Sequence, residues 1–138
     1  MNSEIIFQFV NTLVLPFWLL LLVYPQWKHR NTVIYSMVAL LASIYAFYIF
    51  MGPSMDLESF NSLEGVMALF QQPEAVLVGW IHYLAFDLLV GNWIVNQTKE
   101  IGIKLIWAVP SILLSFMFGP VGYLLFTILR ISKRGRVN

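Results

Sequence analysis

The sequence has no cysteine, which excludes disulfides, thiolate metal sites and a cysteine nucleophile. Charge is almost as scarce. Lys, Arg, Asp and Glu make up 11% of the 138 residues, against about a quarter in an average soluble domain. So few charges cannot cover a water-facing surface, and a soluble globule, a disordered segment and a nucleic-acid binder are all excluded as classes. The formal net charge of +1 favours neither acidic nor basic partners. Hydrophobic residues account for 59% and aromatics for 16%, and the length allows one domain.

Four uncharged or nearly uncharged runs organise the chain, over residues 5–24, 33–51, 76–95 and 105–129. About 20 helical residues cross a hydrocarbon core of about 30 Å. The expected fold is therefore all-α, a four-transmembrane-helix bundle in a single integral membrane domain spanning 1–138. Strands are excluded because no segment alternates at period two. The first run begins after Glu4 and ends in Tyr24-Pro25-Gln26-Trp27. It lacks the basic start and small-residue cleavage site of a signal peptide.

Three connections separate the runs. Pro25 to Thr32 and Asn96 to Lys104 read as tight polar turns. Gly52 to Ala75 is longer and acidic, with Leu57, Phe60, Leu63, Met67 and Phe70 at helical spacing. That spacing predicts an amphipathic segment between the second and third helices, lying on the membrane surface or across the bundle mouth. Four spans would put the termini and the long connection on one side, with Arg130, Lys133, Arg134 and Arg136 there and Lys28, Arg30, Lys99 and Lys104 opposite. An equal split sets no orientation; the first hairpin favours termini outside, and the basic tail the reverse.

Small residues predict helix contacts: Ser36, Ala39, Ser43 and Ala46 on the second helix, and Ala108, Ser111, Ser115, Gly119 and Gly122 on the fourth. Pro110 and Pro120 should bend the fourth helix and free carbonyls within the membrane.

Polar residues inside the apolar runs carry the functional information. Asp87 lies near the middle of the third run, and no Lys or Arg lies within any run. An ionised carboxylate there costs at least about 2.5–3.5 kcal/mol. Asp87 is thus expected to be protonated or tightly hydrogen-bonded and to face the bundle interior. A neutral buried acid is a candidate proton donor; the alternative is a carboxyl bridging helices to a neighbouring Asn or Ser. Trp80, Tyr83, Asp87 and Gly91 share one helical stripe. His82 falls on another with Phe86, Leu89, Trp93 and Asn96, so direct contact between His82 and Asp87 is not expected. A lone His82 and a loop His29 do not make a metal site. Glu4, Gln8, Asn11 and Thr12 give the first helix a polar stripe, with Asn11 a candidate partner for Asp87 or for a bound polar group. No phosphate loop, nucleophile elbow, zinc-protease motif or Rossmann glycine pattern is present.

The run Gly79-Trp80-Ile81-His82-Tyr83-Leu84-Ala85-Phe86-Asp87-Leu88-Leu89-Val90-Gly91-Asn92-Trp93-Ile94 resembles the signature of the abscisic-acid-deficient-four-like membrane family. Asn11, Leu15-Pro16 and Trp18 to Pro25 resemble its first helix, and Gly119-Pro120-Val121-Gly122, Leu125 and Arg130 its last. Asn92 and Gln97 depart from the pattern, standing where plant members tend to carry Arg and Asp. The chain also starts directly at the first helix, which fits a bacterial inner-membrane protein rather than a plastid one. The plant members are associated with neoxanthin synthesis. The resemblance therefore implies an isomerase for a carotenoid or related isoprenoid, working in the lipid bilayer without a redox cofactor. On that reading Asp87 is the acid, with His82 or Tyr83 assisting, and Asn11, Trp18, Trp80, Phe86 and Asn92 are candidate substrate contacts. The alternative is a non-catalytic carotenoid-binding or membrane-protein assembly factor.

Overall fold

A computed structural model describes residues 2–52 and 57–134. Among them the chain is helical: α1 (Ser3–Val23), α2 (Arg30–Met51), α3 (Leu63–Leu69), α4 (Pro73–Glu100) and α5 (Leu105–Arg134), with a 3-10 turn at Leu57–Asn61 before α3. Four of these, all but α3, are long and apolar enough to cross a membrane, as their hydropathy predicts. Large apolar side chains such as Phe9, Leu19, Phe50 and Ile106 point outward. Hydrocarbon, not water, is the solvent that suits such a surface, and the chain is an integral membrane protein.

Local chemistry explains the helix ends. The Asn2 side chain accepts the Glu4 N–H at 3.0 Å and caps α1. Pro73 opens α4 from its first turn, where its missing N–H costs nothing. Gly102 closes the turn to α5 with φ of 69°, a conformation that side-chain-bearing residues rarely adopt. The amphipathic segment forms as two short pieces rather than one helix. Ser62 interrupts it and caps α3, accepting the Gly65 N–H at 3.0 Å. Phe60, Leu63 and Met67 are exposed there.

Helix α4 is the axis of the bundle. It packs against α1, α2 and α5, and half of its apolar window is buried against 22–28% in the other three. Helices α1 and α4 run parallel: Ser3 Oγ donates to Glu74 Oε1 at 3.2 Å, and farther along Gly91 abuts Trp18. Helix α2 runs back beside them, from Arg30 at Asn92 to Tyr45 at His82. Its buried face is Ile34, Met37, Leu41 and Tyr48. The expected small-residue stripe is not its contact face: Ser36, Ala39 and Ser43 are exposed, because the larger residues gain more from close packing.

The largest departure from expectation is in α5. Phe118 has φ −146° and ψ 67°, which breaks the helix, and the chain folds back on itself. Lys133 Nζ lies 5.3 Å from the centre of the Trp107 ring; along a straight helix their separation would be about 39 Å. A Cβ on Gly122 would fall on Ser115 Oγ and the Ser111 carbonyl. The small residues of α5 therefore do permit close backbone approach, but between its own two arms, 105–117 and 119–134. Trp93 of α4 packs on Tyr123 and Phe126 of the returning arm. Pro120 explains the position of the break, since it lacks the N–H that Phe116 would bond and its ring crowds that carbonyl. The direction of the fold-back brings the end of α5 to the α1–α2 and α4–α5 turns. The expected split of Lys and Arg between two sides does not hold.

Candidate functional site

The break in α5 lies against the middle of α4, and polar groups converge on it. Asp87 is buried, at 6% exposure. It faces Gly119, where any Cβ would strike Asp87 Oδ1. Tyr83, one turn earlier on α4, lies beside Asp87. Its hydroxyl donates to the Met117 carbonyl at 2.7 Å and faces the Gly119 backbone N–H. Unravelling a helix at membrane depth leaves backbone groups that need partners; Tyr83 provides for two of them. A hydroxyl donates one proton, so with that proton on Met117 the Tyr83 oxygen is left as an acceptor towards Asp87. Asp87 Oδ2 has no hydrogen-bond partner among the described residues.

Beside this cluster is a cavity of about 330 Å³ between α1, α4 and the tip of α5, lined by Asn11, Leu15, Trp80, Tyr83, Phe116 and Met117 among others. Trp80 Nε1 donates to Asn11 Oδ1 at 2.7 Å, and the Trp80 and Tyr83 rings stack at 5.5 Å. An aromatic wall thus carries the polar groups of Asn11, Trp80 and Tyr83. A second cavity of about 280 Å³ adjoins it, sharing Leu15 and Phe116 and continuing past Trp18, Leu22 and Ile112. Its lining is apolar. Trp18 packs edge-on against Phe116 at 5.2 Å.

The structure therefore brings together Asn11, Trp80, Tyr83 and Asp87, with Trp18 in the adjoining cavity. Asn11 is engaged by Trp80, and Tyr83 is the polar side chain beside Asp87. His82 and Phe86 lie apart from the cluster. Their rings stack at 4.6 Å on the other stripe of α4, with Tyr45 of α2 at 5.6 Å from His82.

Asn92 belongs to a second polar cluster, which sequence reasoning missed. Arg30 opens α2 rather than lying in a turn, and it is 2% exposed. Its Nε donates to Asn92 Oδ1 at 3.2 Å, and its terminal nitrogens donate to Asn31 at 2.9 Å, to Asn96 and to the Pro25 carbonyl. These partners are all neutral oxygens. An arginine at position 92 would face Arg30, so Asn92 and Arg30 form a matched pair. The available signal was Asn92 and Asn96 at i, i+4 on one face of α4. Among the described residues no group of three His, Cys, Asp or Glu is placed to hold a metal.

A membrane-embedded helical protein with a polar cluster beside an elongated, mostly apolar cavity is the class that the fold and site define. The family model described as ABA4-like, ABA DEFICIENT 4-like, matches residues 5–126, most of the chain. This protein belongs to that family. No curated protein and no solved structure matches it.

Proposed function

We propose that this protein binds a carotenoid or related isoprenoid from the bilayer and isomerises it by acid–base chemistry. The observation that carries the reading is the adjoining pair of cavities, with Asn11, Trp80 and Tyr83 at one end and apolar walls beyond. That shape suits a long apolar chain with an oxygenated end group. Membership of the ABA4-like family supports a relation to neoxanthin synthase-type proteins. In that type of reaction an epoxide C–O bond breaks and its oxygen takes a proton. A neighbouring carbon loses a proton, and the electron pair left there forms the new double bond of an allene. Atoms move within one molecule, so neither oxidant nor reductant is consumed. Tyr83 lines the cavity and Asp87 stands behind it. Asp87 gives a proton to the oxygen by way of the Tyr83 hydroxyl, and the pair then recovers one from carbon. The end group rests on Trp80 and Asn11.

A second reading has its own observation. Tyr83 and Asp87 are both engaged at the break of α5, which is also what a non-catalytic carotenoid-binding or membrane-protein assembly factor would need to hold its shape. Expression in a carotenoid-producing host, with pigment analysis and measurement of membrane protein level, separates the two. An isomerised pigment that disappears in folded Asp87→Asn supports the enzyme. Unchanged pigments in every strain, with carotenoid co-purifying with the protein, support the binder.

A further inference from the structure

The fold-back of α5 redistributes the charge of the whole molecule. Lys28 and Lys104 lie in the turns at one end of the bundle, Arg30 opens α2 there and Lys99 is in the last turn of α4. Lys133 sits over Trp107 near the start of α5, so the end of the returning arm joins them, and Arg130 lies one turn before it. Among the described residues every Lys and Arg is at this end. Glu100 is the only acidic one among the described residues there, and it accepts from Gln97 at 2.5 Å. Glu4, Glu58, Glu64 and Glu74 lie towards the opposite end. A molecule of almost no net charge is thus strongly polarised along its axis.

The basic end also contains a recess. A cavity of about 370 Å³ opens between the two turns, lined by Gln26, Thr98, Lys99, Gly102 and Ile103 among others. Lys99 is exposed at the recess, and no carboxylate is among the partners of the buried Arg30 behind it. Tyr24, Trp27 and Trp107 are exposed at the same end, where amphipathic rings favour the headgroup layer.

We propose that this end is a docking surface for anionic phospholipid headgroups, with a lipid phosphate in the recess beside Lys99, and that it faces the cytoplasmic leaflet. Cations clustered at a membrane boundary are drawn to anionic lipid, and Lys and Arg next to apolar segments are retained on the cytoplasmic side. A phosphate by Lys99 supplies the negative charge that the cations of this end otherwise lack. The acyl chains of such a lipid lie in the bilayer alongside the apolar faces of α1 and α5. It follows that 105–134 enters and leaves on one face, leaving the N-terminus and the connection between α2 and α4 on the other. The proposal is independent of the carotenoid reading.

The test uses the purified full chain in neutral detergent and reads its thermal unfolding midpoint. Short-chain phosphatidylglycerol is expected to raise the midpoint by several degrees, and phosphatidylcholine or inorganic phosphate to leave it unchanged. Lys99→Gln combined with Lys133→Gln should retain the helical spectrum and lose at least half of that shift. Lys28→Gln with Lys104→Gln provides a second pair on exposed positions. An equal shift with phosphatidylcholine, a full shift with phosphate alone, or an undiminished shift in both double variants overturns the docking surface. Sidedness is read separately with single cysteines in this cysteine-free chain. His29→Cys and Ser132→Cys should react with an impermeant maleimide from one face of sealed vesicles, and Asn61→Cys from the other. Reaction of Ser132→Cys on the same face as Asn61→Cys overturns the fold-back topology.

Discussion

The Arg30 cluster and the Tyr83–Asp87 cluster both bury polar groups among apolar helices, but they are built for different ends. Arg30 offers a planar fork, and neutral oxygens from two helices and a turn close around it. It leaves one atom, Asn92 Nδ2, without a partner among the described residues. Such a clamp ties the α1–α2 turn to α4. The Tyr83–Asp87 cluster depends instead on backbone groups released by the break at Phe118, and it borders the cavity lined by Asn11, Trp80 and Tyr83. A carboxyl oxygen is left unpartnered there. A cation held by four neutral oxygens is committed to structure, whereas on the proposed reading Asp87 behind the cavity-lining Tyr83 hydroxyl is the proton donor.

Substitutions can break this comparison, and the largest loss of stability is expected at the clamp. Arg30→Leu strands Asn92, Asn96 and the Pro25 carbonyl in an apolar setting. Hydrogen bonds to charged groups contribute about 1.5–3 kcal/mol each, so a loss on the order of 3 kcal/mol is expected, measured by thermal or denaturant unfolding in detergent. Arg30→Lys should restore little of it, because an ammonium cannot reproduce the fork. Gly119→Leu comes next. Its side chain must displace Asp87, and overpacking of this kind costs about 1–3 kcal/mol; unchanged stability would mean that the two arms of α5 do not meet α4 there.

Tyr83→Phe removes the bond to Met117. Hydrogen bonds within membranes average about 0.6 kcal/mol, so unfolding should move slightly while pigment conversion falls sharply. Asp87→Asn should leave stability unchanged or slightly higher, since the amide keeps the shape and avoids any cost of a buried carboxylate. Conversion should nevertheless be abolished, because an amide supplies no proton. Full activity in folded Asp87→Asn would remove Asp87 as the acid. The smallest effect belongs to His82→Ala. Its ring lies on the stripe shared with Phe86, apart from the cavity, and pigment analysis should show conversion close to wild type.

Much of this was legible in the sequence for reasons of periodicity. Runs of apolar residues are a local property, so the four long helices follow from hydropathy. A stripe at i, i+3, i+7 and i+11 places Trp80, Tyr83, Asp87 and Gly91 on one face whatever packs against it. The separation of His82 from that face follows from the same geometry, and the centrality of α4 from its polar content. Arg30 was not legible, because charge at the edge of an apolar run reads as a solvated turn until its partners are known. The small residues of α2 were misleading for a related reason. Size permits close approach but does not choose the face, and Ile34, Met37 and Leu41 took it.

The sequence by itself determined an integral membrane chain, its helical segments and which residues of α4 share a face with Asp87, because hydrophobicity and helical period act residue by residue. Pro120 also marked where the last helix would fail. Only tertiary structure decided what the failure produced. A helix broken at mid-membrane can bend onward or turn back, and the choice depends on contacts made far away in sequence. Gly122 on Ser115, Gly119 against Asp87, Trp93 on Phe126 and Lys133 over Trp107 turn it back. Those contacts also brought the basic end together, since residues that linear order assigns to opposite sides become neighbours once one helix returns to where it began.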